Sequence, residues 1–194
     1  MKNLFSKEKH RFKKGKNLYV GFCILLLIYM LWPGPGSISD FKALPNSDKS
    51  KLAGDTFQIL NVAGYFSNNF REFVMPFYLS NYWQKTLLPF PPIRLNHPPE
   101  YSWTVIKKHT DSTFLEELVY PLKSSLYVNG FEPFYSDGTP KFWGSTKFDV
   151  DGHKWLTKTT LRFYPSSIWV RILVWFGIIL SIYFIIKLSR KIIF

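Results

Sequence analysis

The run IWVRILVWFGIILSIYFII, Ile168 to Ile186, constrains this chain more than any other stretch, because Arg171 is its one charged residue. About 20 apolar residues suffice for a helix to cross the hydrocarbon core of a bilayer. A second apolar run, LYVGFCILLLIYMLW, spans Leu18 to Trp32. At 15 residues it is short for a span. Tyr19, Tyr29 and Trp32 near its ends suit the interface, and thinning of the bilayer with a snorkelling Lys16 would cover the difference. A cleaved signal peptide would share the basic leader and the run length. The following GPGSIS has no Ala-x-Ala site, however, so an uncleaved anchor is expected.

Charge assigns the orientation. The net +12 raises the question of nucleic acid, but the first 17 residues hold seven Lys/Arg against Glu8, and four more cations follow Tyr164 with no acid among them. The segment between is almost balanced, with 14 basic and 12 acidic residues. Cations flanking apolar runs fix membrane orientation, and no basic recognition helix or nucleic-acid motif is present. Both ends are therefore expected in the cytoplasm, with residues 34 to 165 outside and no nucleic-acid partner. Cys23 is the single cysteine, so no internal disulfide can form, and no Asn-x-Ser/Thr sequon occurs. Both features fit a bacterial inner membrane.

The expected layout is a basic tail (1–17), a first transmembrane helix (18–33), a linker rich in Gly, Pro and Ser (34–54), an outer domain (55–165), a second transmembrane helix (167–187) and a basic tail (188–194). In the outer domain, Ile59, Val62, Ala63, Phe66, Phe70, Phe73 and Val74 follow helical spacing, which predicts an aromatic amphipathic helix over about 56–74, capped by Asp55 and ended by Pro76. Residues 89–99 hold five prolines and must be extended. Tyr101 to His109 reads as a strand. TFLEEL carries capping-box spacing, Thr113 to Glu116, for a short helix bounded by Pro121. Asn129-Gly130, Asp137-Gly138 and Asp151-Gly152 then punctuate aromatic and β-branched runs as type I′ turns do, predicting a meander over 122–164: 122–128, 131–136, 140–150 and 153–164. Pro133 and Pro140 make 131–136 its weakest member. The fold class is α+β, mainly antiparallel.

FDVDGHKW, Phe148 to Trp155, packs two aspartates and a histidine into five positions. With Asp151-Gly152 as the turn, Val150 faces His153, Asp149 faces Lys154, Phe148 faces Trp155, Lys147 faces Leu156 and Thr146 faces Thr157. An aromatic pair on one face and an opposite-charge pair on the other set register, each contributing roughly 0.2–1 kcal/mol. A calcium loop would need more oxygen ligands and a closing glutamate, and zinc more His or Cys. The stretch is a hairpin. It gathers Phe142, Phe148, Val150, Trp155, Leu161 and Phe163 on one face, and Lys141, Lys147, Lys154, Lys158 and Arg162 on the other.

That basic face is a candidate for anionic headgroups or an acidic partner, against an ordinary solvated sheet face. The tryptophans Trp83, Trp103, Trp143 and Trp155 are candidate platforms for a sugar ring or a protein interface, against plain core filling. The residues of acid/base type, His97, Glu100, His109, Glu116, Glu117, Glu132 and Asp137, form no recognised nucleophile–base spacing. No catalytic residue, metal site or cofactor is implied. The expectation is a non-catalytic accessory, assembly or scaffolding subunit that meets membrane lipids and an integral membrane partner. A binding module for glycan or anionic lipid is the alternative, and a small membrane-surface enzyme the third.

Overall fold

The computed structural model describes residues 2–52, 55, 59–101 and 112–193. It divides into two units, Met1–Trp32 with Ser166–Phe194, and Pro33–Pro165.

The first unit is a pair of helices, α1 (Lys2–Leu31) and a C-terminal helix (Ile168–Ile193). Among the described residues one stretch is long and apolar enough to cross a membrane, Ile168–Ser189, 22 residues with mean hydropathy 2.2; the apolar part of α1, Asn17–Leu31, is shorter. Three side chains tie the helices together by donating to backbone carbonyls of the neighbour. Tyr19 Oη reaches Ile179 O at 2.9 Å, Trp175 Nε1 reaches Cys23 O at 3.0 Å, and Arg171 Nη1 reaches Met30 O at 3.1 Å. The residue numbers rise on one helix as they fall on the other, so the pair is antiparallel. Arg171 is also tied to the segment just before its own helix, its Nε bonding Ser166 Oγ at 2.9 Å.

The second unit is α+β and mainly antiparallel. Its strands are β1 (Ser47–Lys49), β2 (Val62–Ser67), β3 (Ile93–His97), β4 (Phe114–Tyr120), β5 (Ser124–Phe131), β6 (Phe148–Val150), β7 (His153–Trp155) and β8 (Thr157–Pro165). Six form one sheet in the order β1-β2-β8-β5-β4-β3, and β6 pairs with β7 alone. Helix α2 (Arg71–Thr86) covers one face of the sheet, burying Val74, Met75, Tyr78, Asn81, Tyr82 and Thr86. Those positions recur every three to four residues, the stripe of a core-facing helix. Tyr82 stands edge-on to Tyr120 and Phe163, and Phe41 packs against both Tyr82 and Phe163. With α2 placed, the C-terminal helix Ile168–Ile193 is α3 in chain order.

Several elements differ from the sequence-based expectation. The helix placed over 56–74 is instead strand β2 followed by α2, with 56–58 outside the described residues. Every residue of Val62–Ser67 is buried. A strand buried on both faces shows a continuous apolar run, which spacing alone does not separate from a helix. Pro76, expected as the terminator, lies inside α2 on its exposed side, where water can serve the carbonyl that it leaves without an N–H. TFLEEL is not a helix but the start of β4, for the same two-sided burial. The linker 34–54 holds a short 3-10 turn, Ile38–Asp40, and β1. Of the expected strand 101–109, Tyr101 closes a 3-10 turn, Pro99–Tyr101, and the rest lies outside the described residues.

Asn129-Gly130 is not a turn. It lies inside β5, with Gly130 opposite Phe114. A Cβ on Gly130 would stand 2.0 Å from the Phe114 ring, so this glycine makes room for an aromatic ring. The chain turns earlier, at Pro121-Leu122, with Leu122 at φ 64°. The 131–136 strand reduces to a single bridge, Phe134 to Pro140. Asp151 (φ 51°) and Gly152 (φ 86°) do form the expected turn, with Val150–His153, Asp149–Lys154 and Phe148–Trp155 in register. The pairing ends there. At Leu156 the chain bends, its N–H taken by Asn68 Oδ1 at 3.0 Å, and Thr157 pairs with Ser67 of β2. The 153–164 strand is therefore two strands in different sheets, and the single aromatic face and single basic face expected across it do not form.

Candidate functional site

Adjacent glutamates in β4 point to opposite faces of the sheet, as alternation requires. Glu116 faces α2, with its side chain fully buried. Arg71 Nε, in the first turn of α2, donates to its Oε1 at 2.6 Å, and Arg94 on β3 grips both oxygens, through Nη2 at 2.8 Å and through Nε. Burial alone raises the pKa of this carboxyl, but the hydrogen bonds from Arg94 and Arg71 outweigh it and hold the group below the usual carboxylate range. Glu132 accepts the Arg71 backbone N–H at 2.6 Å and Lys141 Nζ at 3.3 Å, putting a carboxylate on the N-terminus of α2, where the helix dipole favours it. These charges are mutually satisfied and bind the loop after β5 to the helix.

On the other face, Glu117 lies between three polar side chains. Its Oε2 is 3.0 Å from His97 Nε2 and its Oε1 accepts Ser125 Oγ at 2.6 Å. Burial and the Glu117 charge push the neighbouring Tyr127 hydroxyl up to about 12. Serine, histidine and carboxylate thus meet, but in the wrong order for nucleophilic catalysis. In a working triad the imidazole sits between hydroxyl and carboxylate and takes the hydroxyl proton. Here the carboxylate sits in the middle, and His97 and Ser125 each bond to it from opposite ends. Among the described residues no three His, Cys, Asp or Glu side chains come together to hold a metal ion.

The cations singled out in the sequence are distributed rather than gathered. Lys158, largely but not fully buried, forms an ion pair with Asp55 at 2.9 Å and lies over the Phe66 ring. Lys141 is drawn to Glu132 and to the Tyr135 ring. Arg162 stacks on Tyr164. Lys147 is exposed, and Lys154 lines an open cleft beside β7. Of the tryptophans, Trp83 caps the end of α2, its Nε1 donating to Leu88 O at 2.6 Å, and Trp103 lies outside the described residues.

Trp143 behaves differently: it is fully exposed, at 103% of its reference area. It stands at the corner of a formed turn, in which Ser145 bonds Phe142 O through both its N–H and its Oγ, while Gly144 takes φ 80°. Phe142 beside it and Tyr135 are each more than half exposed. Lys141 N bonds Pro133 O at 2.8 Å, fixing the base of the loop. The structure therefore spends a positive-φ glycine and several hydrogen bonds on presenting an indole to solvent. Burying such a ring would bring on the order of 2–3 kcal/mol.

Sequence reasoning found Trp143 as a candidate but missed Phe142 as its companion. It also missed Arg71 and Arg94 as the partners of Glu116, and Asp48 as the residue that receives the hairpin: His153 Nδ1 and Trp155 Nε1 both bond its Oδ2, at 3.1 and 2.9 Å. Asp48 and the hairpin are about 100 residues apart, and no local pattern joins them. No family model, curated protein or solved structure matches the chain.

Proposed function

We propose that this chain is a non-catalytic accessory subunit of a larger membrane complex, docking to it through the Phe142–Trp143 turn. The carrying observation is the fully exposed indole on a preformed turn. Exposed aromatic anchors on rigid supports are the residues that dominate protein interfaces once buried by a partner. The misordered Glu117 cluster and the satisfied Glu116 cluster favour a binding role over an enzymatic one.

In this reading both apolar helices span a bacterial inner membrane, both termini are cytoplasmic, and the unit Pro33–Pro165 lies outside. The apolar stretch of α1 covers about 22 Å against the ~30 Å of a hydrocarbon core. What supports a second span is the company it keeps. Side-chain donors that close onto a neighbouring helix's carbonyls suit an environment without water, where each such bond is worth about 0.6 kcal/mol or more. Protease protection of tags at the two termini and at Asp137, in spheroplasts, tests the topology: digestion of either terminal tag from outside refutes it.

Docking is tested by placing a photo-crosslinking side chain at position 143 in the full-length protein. The expected result is one dominant adduct with a membrane protein that also co-purifies in fixed ratio, and whose co-purification is lost with the Phe142→Ala/Trp143→Ala double variant. Unchanged co-purification with that variant refutes the reading.

A further inference from the structure

A second surface, independent of the Trp143 turn, lies where edge strand β1 meets β7. An open cleft of about 640 Å³ is lined there by Asn46, Asp48, His153, Lys154 and Trp155 among others. The volume falls within the range of small-molecule sites. The walls are fixed by unusual backbone: Asn46 holds φ 49° on one side, and the Asp151-Gly152 turn holds φ 51° and 86° on the other. Asp48 Oδ2 accepts from both His153 Nδ1 and Trp155 Nε1, which locks the plane of the indole. The imidazole and indole rings stand edge to face, 6.0 Å apart at 73°.

We propose that this cleft binds a β-linked oligosaccharide, with the Trp155 indole as the platform for one sugar ring and Asp48 as the acceptor for its hydroxyls. The chemistry narrows the ligand class. A pyranose with equatorial hydroxyls has an apolar C–H face that packs on an aromatic ring, and an edge of hydroxyls that needs both donors and acceptors. The cleft offers an indole plate, a carboxylate, an imidazole, an amide and an ammonium in one place. A phosphate or other anion would meet the Asp48 carboxylate, whose pKa the hydrogen bonds it accepts from Trp155 and His153 hold below the usual carboxylate value. A purely apolar ligand would strand the polar groups. The cleft is open to solvent rather than enclosed, which suits a chain polymer laid across it. It sits at the Thr157 end of β8, eight residues and about 26 Å along the strand from Pro165. The ligand is thus met at the end of β8 remote from the segment that leads into α3.

The test uses the full-length protein in nanodiscs, titrated with chitotetraose and with cellotetraose by calorimetry, and followed by the indole N–H resonances. Saturable binding of at least one sugar is expected, with the Trp155 resonance shifted and the Trp143 resonance unmoved. Trp155→Ala should weaken binding at least about tenfold, the scale of one lost aromatic anchor. Because that change also removes the Phe148 pairing partner, Asp48→Asn serves as the second variant. It keeps an acceptor for the indole and should weaken binding several-fold. Trp143→Ala should leave binding unchanged even where it abolishes docking. Absence of binding by both sugars up to about 10 mM overturns the proposal. So does binding that survives both Trp155→Ala and Asp48→Asn.

Discussion

Replacing Glu116 by Gln should cost the unit Pro33–Pro165 about 2 kcal/mol and lower its melting temperature by about 7 °C. The carboxylate is completely buried and takes bonds from Arg71 and from both nitrogens of the Arg94 fork. Removing one partner of a buried ion pair typically costs about 3–5 kcal/mol, because the other charge is left without compensation. Here the two arginine side chains are 36% and 44% exposed, so water takes up part of the charge they lose, and the lower figure of about 2 kcal/mol follows. Unfolding entropy of about 2.1 cal/mol/K per residue over Pro33–Pro165 converts this to roughly 7 °C. The assay is a near-UV circular dichroism melt of full-length protein, which reports the aromatic core. The effect should also depend on pH with a definite sign. The folded-state pKa of Glu116 lies below its unfolded value of about 4.3, so its contribution is fully present above that value and is lost as pH falls through the folded pKa. The gap between wild type and Glu116→Gln should therefore close in acid. A shift below about 2 °C at neutral pH, or a gap that widens on acidification, would refute the reasoning.

Further expectations follow from single contacts. Gly130→Ala puts a methyl group into the Phe114 ring and should destabilise by about 1–3 kcal/mol in the same melt, with no effect on the Trp143 turn. Lys158→Gln should destabilise markedly, because Lys158 and Asp55 are both almost buried, whereas Lys147→Gln should leave the melt within about 0.5 kcal/mol of wild type. In alkaline ultraviolet titration, Tyr127→Phe should remove a tyrosine that ionises near pH 12; since the folded state holds that proton more tightly than the unfolded chain, the stability that Tyr127 contributes falls as pH rises from about 10 to 12.

Much of the fold is written in short stretches of the chain. The turn of the Asp151-Gly152 hairpin and its three inner pairs were legible because their code is local: two positive-φ positions, an aromatic pair and an opposite-charge pair within eight residues; the two outer pairs, Lys147–Leu156 and Thr146–Thr157, do not form. The α+β, mainly antiparallel character and the apolar C-terminal helix were legible for a similar reason, since turn residues and hydropathy act over short windows. Two of the errors share one cause. Val62–Ser67 and Phe114–Tyr120 are buried on both faces, so they lack the alternation that marks a strand; apolar helix spacing fitted the first, and capping-box spacing the second, by coincidence. Asn129-Gly130 has turn composition, yet its glycine answers to a ring on β4, that of Phe114.

The site was harder to read than the fold, because ion pairing in this protein is non-local. A lysine's availability is decided by whether a carboxylate reaches it, and Asp55 reaches Lys158 across about 100 residues, just as Asp48 reaches His153 and Trp155. Period-two counting along 141–162 assumed one unbroken pleat. The bend at Leu156, imposed by Asn68, sends Trp155 into one sheet and Thr157 into another, and everything counted past it changes neighbours. The five cations then divide: Lys158 and Lys141 serve stability, Arg162 covers an aromatic ring, and Lys147 and Lys154 face outward. The surface that remains for recognition is aromatic rather than basic, which is why the docking and saccharide readings both rest on an indole, Trp143 in one and Trp155 in the other.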